Sequence, residues 1–425
     1  EPDGRLELQR AHERLWQIPP QLMLVRVEPL FIGSAMLYSE YGALNFGQLH
    51  NALNGHLGTS GLIALALLLS GFATKAGLLP FHAWLPDAHA QGPGAVSAMF
   101  SALMVDLGVV AIARIALQVY GSGSGHAILG LLTGIGIASA LLGAAMALAQ
   151  DDLKRLLAWD TVSQTGILVV GFASATPEGV TGATYHLVNH GLFKALLFLC
   201  AGSVLHATGV GNLSDMGGLA RRRPLLTFGF TVGALAIAGV PPMNGFASVG
   251  LIHEGLHGEP VVFGLALLAQ VITVAALGRA TYLGFYRRRA EPYEHLEPSR
   301  WGMRASLITI GVGCAAFGVL PGLFVQHVAA PAASILLHPV TYATGVLRGS
   351  GSVPSSDVTF SYGNMGDLAL AGAELLLGVA LAVWYLRVPE PRPVTALRRL
   401  HTGSVNDYAA FAAGGIVLVA AVLLA

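Results

Sequence analysis

Three basic side chains recur every four residues in one apolar segment of the chain: His186, His190 and Lys194, in YHLVNHGLFKALLF. At 3.6 residues per turn this spacing places them on one helix face, over a length of about 12 Å. Histidine accepts and donates protons near neutral pH, so the stripe has the shape of a proton-conducting line. Histidines that only pack in the core are one alternative. A metal site is another, although the sequence puts no carboxylate or thiolate on this face.

Two further charged residues lie inside apolar segments. Lys75 stands near the end of one segment, and Asp106 stands at the middle of the next. A charged side chain at the centre of a membrane helix costs about 2.5 to 3.5 kcal/mol, so such residues pair, reach water or take part in transport. Lys75 can instead extend to the interface, and Asp106 can be a neutral, hydrogen-bonded carboxyl. If Asp106 is active, it needs a partner from another helix.

Two proline-rich interruptions are predicted to break helices within the membrane. The first follows Lys75 at Pro80, and the second contains Pro241, Pro242 and Gly245 in GVPPMNGFASVGLIHEG. Breaks of this kind are tolerated where neighbours or a hydrated cavity satisfy the freed backbone groups, and a pair of them indicates a transport pathway. Two titratable residues near the far end of the second segment form either an exit or an ordinary interface: His253 and Glu254.

The composition places these residues in a membrane protein. Apolar residues make up 54% of the 425 positions and charged residues 11%, whereas soluble domains carry about 25% charge. The net charge is zero, so no nucleic-acid partner is expected. We predict an all-α polytopic fold with about eleven segments that cross roughly 30 Å of lipid. The segments are 21–38, which is the weakest, 58–80, 93–119, 126–148, 152–174, 181–207, 225–255, 260–286, 304–325, 367–388 and 404–425.

The basic residues alternate between connections. One set of connections carries Lys154, Arg155, Arg221, Arg222, Arg223, Arg287, Arg288, Arg289, Arg300, Arg392, Arg398 and Arg399, whereas the other set contains only Arg348. By the positive-inside rule the basic loops are cytoplasmic, in the cell inner (plasma) membrane. Along the chain we predict a soluble charged stretch (1–20), a partial first segment with its loop (21–57), a transmembrane core (58–286) and C-terminal helices (287–425). A 327–366 loop lies in the last part, with a surface-lying piece at Ala329 to Leu337.

Three motifs resemble the antiporter-like family, which comprises the proton-pumping subunits of respiratory complex I, the large Mrp antiporter subunits and the antiporter subunits of energy-converting hydrogenases. They are TKAGLLPFHAWLPDAHAQGP, DDLKRLLAWDTVSQTG and YHLVNHGLFKALLFLCAGSV. The resemblance implies two inverted repeats of five helices, each with one broken helix, and a polar line along the membrane midplane. It also implies that Lys75 pairs with a glutamate two helices earlier and that Lys194 conducts. Asp106 falls where several members carry lysine.

The chain departs from the family pattern in two places. The part of the family fold before residue 58 is expected to be missing, and Val249 stands where the second broken helix usually carries Lys or Glu. No flavin, dinucleotide or iron–sulfur motif is present, and Cys200 and Cys314 cannot ligate a cluster, so we expect no cofactor.

The predicted function is translocation of protons, with sodium exchange as an option, within a complex of several membrane subunits. Partner subunits would carry any redox chemistry. A non-conducting scaffold that anchors a partner is one alternative. A proton-conducting partner of an inorganic-carbon uptake protein is another.

Overall fold

The computed structural model describes residues 20–53, 58–121, 126–289, 293, 296–298, 301–349, 352–355, 358, 363–388 and 405–424. The described residues are helical or lie in connections, with no strand among them. The helices are α1 Pro20–Tyr41, α2 Phe46–Leu53, α3 Thr59–Ala76, α4 Trp84–Gln91, α5 Gly94–Val119, α6 His126–Ala149, α7 Leu153–Ala173, α8 Pro177–Thr208, α9 Pro224–Ile237, α10 Asn244–Gly255, α11 Pro260–Tyr286, α12 Trp301–Val319, α13 Pro321–Leu337, α14 Pro339–Arg348, α15 Met365–Tyr385 and α16 Val405–Leu424. A one-turn helix, Leu219–Arg222, precedes α9.

Nine of these helices are long and apolar enough to cross a membrane within the described ranges, and the pair α13 and α14, bent by 93°, makes a tenth. The predicted all-helical membrane fold is confirmed. The prediction of about eleven segments is higher for two reasons. Helix α1 contains Arg26, Glu28 and Glu40, and the predicted 225–255 segment forms two short helices instead of one.

Helix α7 lies at the centre of the bundle, and its whole span is buried. Close approach to α6 depends on glycines, since a Cβ on Gly143 would lie 2.4 Å from the Ser163 nitrogen. A Cβ on Gly166 would lie 2.5 Å from the Gly136 oxygen. Small residues at such crossings let helix backbones approach closely where lipid provides no hydrophobic drive for helix association. The centre of the fold is therefore a rigid helix that neighbours can surround.

The first predicted break lies between α3 and α4, at residues 77–83. Helix α3 ends in a left-handed cap at Gly77, with φ +69°, and the indole N–H of Trp84 donates to the freed Thr74 carbonyl at 2.8 Å. Pro80 lies in the turn that follows. The Leu79 N–H donates to the Ser139 hydroxyl at 2.9 Å. Neighbouring side chains thus satisfy the broken backbone, as the prolines predicted.

The second break occupies residues 238–243, between α9 and α10. It contains Pro241 and Pro242, and the Gln270 amide donates to the Ile237 carbonyl at 2.8 Å. The prediction for Gly245 was wrong, because this residue belongs to the first turn of α10. Its lack of a side chain serves packing: a Cβ there would lie 1.8 Å from the Ala236 oxygen.

The predicted surface position of Ala329 to Leu337 is also wrong. These residues belong to α13, and Ala329 and Ala333 are buried against the bundle. A run of alanines is apolar enough for an interface, but it also allows close helix contact, and packing decides here. The predicted 327–366 loop contains α14 as well. Two predicted features lie outside the described residues: residues 1–19 of the charged N-terminal stretch, and the basic residues Arg300, Arg392, Arg398 and Arg399.

Candidate functional site

Lys194 forms an ion pair at the centre of the bundle. Its ammonium donates to the Asp160 carboxylate at 2.5 Å and to the Leu157 carbonyl at 3.0 Å. Both charged side chains are fully buried. The sequence analysis did not single out Asp160, although an acidic residue inside the apolar α7 segment is the same signal that drew attention to Asp106.

His190 pairs with Asp106 one turn away from Lys194 on α8. The imidazole Nδ1 lies 2.9 Å from the Asp106 Oδ1, and His190 is fully buried. Helix α5 thus supplies the carboxylate and α8 the imidazole, so Asp106 does have a partner from another helix. The two neighbouring pairs combine four titratable side chains from three helices.

His186 continues the line toward the second break. Its Nε2 lies 3.0 Å from the Gln164 Oε1, and its Nδ1 lies 2.9 Å from the Ser248 hydroxyl. The ring centroids of His186 and His190 are 6.5 Å apart. The predicted common face of His186, His190 and Lys194 is confirmed, because all three side chains point into the bundle and are fully buried.

Several atoms along this line have no hydrogen-bond partner among the described residues: Asp160 Oδ1, Gln164 Nε2 and His190 Nε2. Buried polar atoms normally bind protein or ordered water. Each of these atoms therefore has the capacity to bind a water molecule. Such water would connect the two ion pairs to the hydrogen-bonded His186.

Lys75 does not join the line. It lies half-buried in the last turn of α3, and no hydrogen bond or ion pair links it to another described side chain. Its helix does contact the helix of Asp106, since a Cβ on Gly108 would lie 2.7 Å from the Ala76 nitrogen. The glutamate partner that the family resemblance implies for Lys75 is not among the described contacts.

His253 and Glu254 lie at the far end of α10, separate from the line. The His253 ring is buried and meets the Phe263 ring edge-on at 5.6 Å, whereas Glu254 is exposed. Both border a cavity of about 110 Å³ that Val249 also lines. Glu374 of α15 lines the same cavity. The sequence analysis missed Glu374, although its signal was again an acidic residue in an apolar segment.

Basic groups lie at the opposite end of the line. The Lys154 ammonium donates to the carbonyls of Ala90 and Gly92 at 2.8 and 2.6 Å. Burial, with the positive charges of Lys194 and Lys154, lowers the pKa of the nearby His89 to about 3. His89 is therefore neutral at physiological pH, and its ring packs on Phe198 with centroids 5.1 Å apart.

Comparison with known proteins places this geometry in a family. Residues 22–273 match the family model described as NADH:quinone oxidoreductase/Mrp antiporter, TM. Hydrogenase-4 component B of Escherichia coli (strain K12) is 36% identical over 276 residues, which cover 61% of this chain and 40% of that protein. One of the proteins of the Na(+)/H(+) antiporter of Bacillus subtilis (strain 168) is 30% identical over 326 residues, covering 75% of this chain and 64% of that protein.

A solved structure gives the same result at the level of the fold. A chain in the Mrp complex from Dietzia sp. DQ12-45-1b superposes with a TM-score of 0.71 at 26% identity, covering 76% of this chain and 68% of that one. The chain spans about half the length of the curated relatives it matches. Since the family match covers more than half of its residues and includes both breaks and the buried line, the chain belongs to the NADH:quinone oxidoreductase/Mrp antiporter transmembrane family.

Proposed function

We propose that this chain translocates protons across the membrane through the buried line, as one subunit of a larger energy-converting complex. The observation that carries the proposal is the pair of adjacent acid–base contacts, Lys194 with Asp160 and His190 with Asp106. Each contact joins a proton donor to an acceptor inside the bundle. Sodium exchange is the narrower version of the proposal, and it requires the same proton movement.

Energetics support a functional reason for these contacts. A buried ion pair seldom stabilises a protein more than apolar residues of similar volume, because desolvation of two charges offsets their attraction. Ionisable residues inside a membrane bundle accordingly mark ion pathways and proton relays. Moving one proton through 100 mV involves about 2.3 kcal/mol, which displacement of a single buried charge can match.

The relatives indicate what would supply the energy. One is a hydrogenase component, one belongs to a sodium/proton antiporter, and the similar structure is an Mrp complex. We infer that other membrane subunits are the partners of this chain and that conformational or electrostatic coupling drives the line. We also place the chain in the cell inner (plasma) membrane, with its basic connections in the cytoplasm.

A non-conducting scaffold is the competing function, and one observation favours it. Val249 occupies the position in the second broken helix where the family usually carries a charged residue. In the structure its side chain is buried and has no titratable group to continue the line from His186. A lapsed conductor could keep its central ion pairs for packing alone.

Proton uptake into vesicles that contain the whole complex separates the two functions. Lys194→Met keeps the volume of the side chain but removes the proton carrier, and we expect it to abolish coupled uptake. Lys75→Met tests the role that the family resemblance gives to Lys75, and we expect the same loss. Arg348→Met is the control, because Arg348 is an exposed cation outside the line. Unchanged uptake in both lysine variants, with normal assembly, would leave only the scaffold.

A further inference from the structure

The cavity beside the second break is formed by one face from each of two helices. Helix α10 contributes Phe246, Val249, Gly250 and His253, and α15 contributes Asp367, Leu370, Ala371 and Glu374. Both sets have the spacing of three, four and seven residues that defines one helix face. The volume of about 110 Å³ is enough for several water molecules.

Glu374 is the buried acid of this cavity. It is the tenth of 21 residues in α15, so it stands near the middle of a membrane-spanning helix. Only 5% of its surface is exposed, and its Oε1 has no hydrogen-bond partner among the described residues. An unpaired carboxyl is costly at this depth, and packing alone does not explain its presence.

The cavity reaches the end of the buried line. Ser248, which contacts His186 at 2.9 Å, is adjacent in sequence to Val249, which lines the cavity. On the outer side the cavity is bordered by Glu254 and Asp367. Glu254 is exposed and Asp367 is partly exposed, so the cavity extends from the membrane interior toward the end of the bundle where α10 stops and α15 begins.

We propose that Glu374 is the terminal proton-exchange group of the line and replaces, from a different helix, the charged residue that is absent at Val249. The proton would pass between the His186–Ser248 end of the line and the Glu374 carboxyl through water in the cavity, then leave past Asp367 and Glu254. This role rests on the proposed function. It also explains why Val249 does not have to end conduction.

The first test measures proton uptake in vesicles containing the whole complex. We expect Glu374→Gln, which keeps the side-chain shape, to lower uptake by about 100-fold, the lower end for loss of a positioned acid–base group. Val249→Glu added to Glu374→Gln returns a carboxyl to the same cavity, and we expect it to recover most of the uptake. Glu259→Gln is the control, since Glu259 is an exposed acid just before α11.

Lys194→Met in the same assay separates this proposal from the function on which it rests. Loss of uptake in Lys194→Met together with wild-type uptake in Glu374→Gln would overturn the role of Glu374 and leave translocation intact. Wild-type uptake in both variants would overturn both. Loss in Glu374→Gln without recovery by Val249→Glu would identify a structural role for Glu374 and overturn the proposal.

A second measurement does not depend on transport. Hydrophobic carbodiimides modify protonated carboxyls in apolar, accessible cavities, so dicyclohexylcarbodiimide applied to the purified complex should label the peptide that contains Glu374. Mass spectrometry should find that this label is lost in Glu374→Gln and retained in Glu259→Gln. An unlabelled Glu374 in the wild-type complex would contradict an exchangeable acid at this position.

Discussion

At the scale of single residues, the site depends on charges that are held without water. The Lys194 ammonium has three N–H donors, and the described contacts use two of them, with Asp160 and Leu157 as acceptors. Asp160 keeps one oxygen free of described hydrogen bonds. A pair that is close but incompletely hydrogen-bonded can exchange its partner for water when the field around it changes, which a proton relay requires.

The Lys194–Asp160 pair yields a stability prediction. Asp160→Asn removes the negative charge and leaves a buried ammonium unpaired, which costs about 3–5 kcal/mol. We expect a clearly lower thermal unfolding midpoint for the chain in the purified complex. Asp152→Asn is the matched control on the same helix, because Asp152 caps α7 through the Arg155 N–H and asparagine caps equally well.

A charge-free double variant tests the cause of this loss. Asp160→Leu combined with Lys194→Met removes both charges, so its midpoint should return toward that of the wild type. Equal midpoints for Asp160→Asn and Asp152→Asn would contradict a charged pair at this position.

The sequence predicted the conducting face but not its partners. His186, His190 and Lys194 are linked by a local four-residue period, and a helix turns that period into geometry directly. The contacts of Asp160 and Asp106 join helices through residues that are 34 and 84 positions apart in sequence. A charge in an apolar segment reveals that a partner is needed, but only tertiary packing selects which one.

At the scale of elements, prolines fix where the two broken helices stop, because their missing N–H and ring clash act within one turn. The role of Gly245 is instead set by the Ala236 carbonyl of another helix. The same limit applied to α13, where composition alone did not separate an interfacial helix from a packed one. Local chemistry predicted the breaks, whereas helix contacts determined what lies beside them.

The central crossing of α6 and α7 gives a prediction for a pair of glycines on one helix. Gly143→Ala places a Cβ 2.4 Å from the Ser163 nitrogen, so the helices must separate, at a cost of about 1–3 kcal/mol. Gly134→Ala on the same helix meets no atom within 4 Å, so we expect it to be neutral or slightly stabilising.

Thermal unfolding of the purified complex distinguishes the two glycine variants. Gly143→Ala should also lower the yield of assembled complex, because α7 carries Asp160 and Gln164 into the site. A midpoint for Gly143→Ala as high as that for Gly134→Ala would show that the crossing tolerates separation.

At the scale of the whole molecule, the connections gather into two ends. At one end, the Ser214 hydroxyl donates to Asp151 at 2.6 Å and the Arg287 guanidinium donates to the Leu213 carbonyl at 3.0 Å. At the other end, the Thr176 hydroxyl donates to the Gly255 carbonyl at 3.3 Å. The connections rich in Arg therefore share one end, and the nearly uncharged ones share the other, with the Glu374 cavity between them and the line.

The positive-inside rule converts this grouping into a prediction of sidedness. Arg222→Cys and Ser352→Cys place thiols at exposed positions in a basic connection and in the 327–366 region, respectively. In right-side-out vesicles a membrane-impermeant maleimide should label Ser352→Cys only, and in inverted vesicles Arg222→Cys only. The parent chain is the control, because Cys200 and Cys314 are both buried and should stay unlabelled. The reverse pattern would place the Glu374 cavity at the cytoplasmic end of the line, and equal labelling of both positions would contradict the number of spans between them.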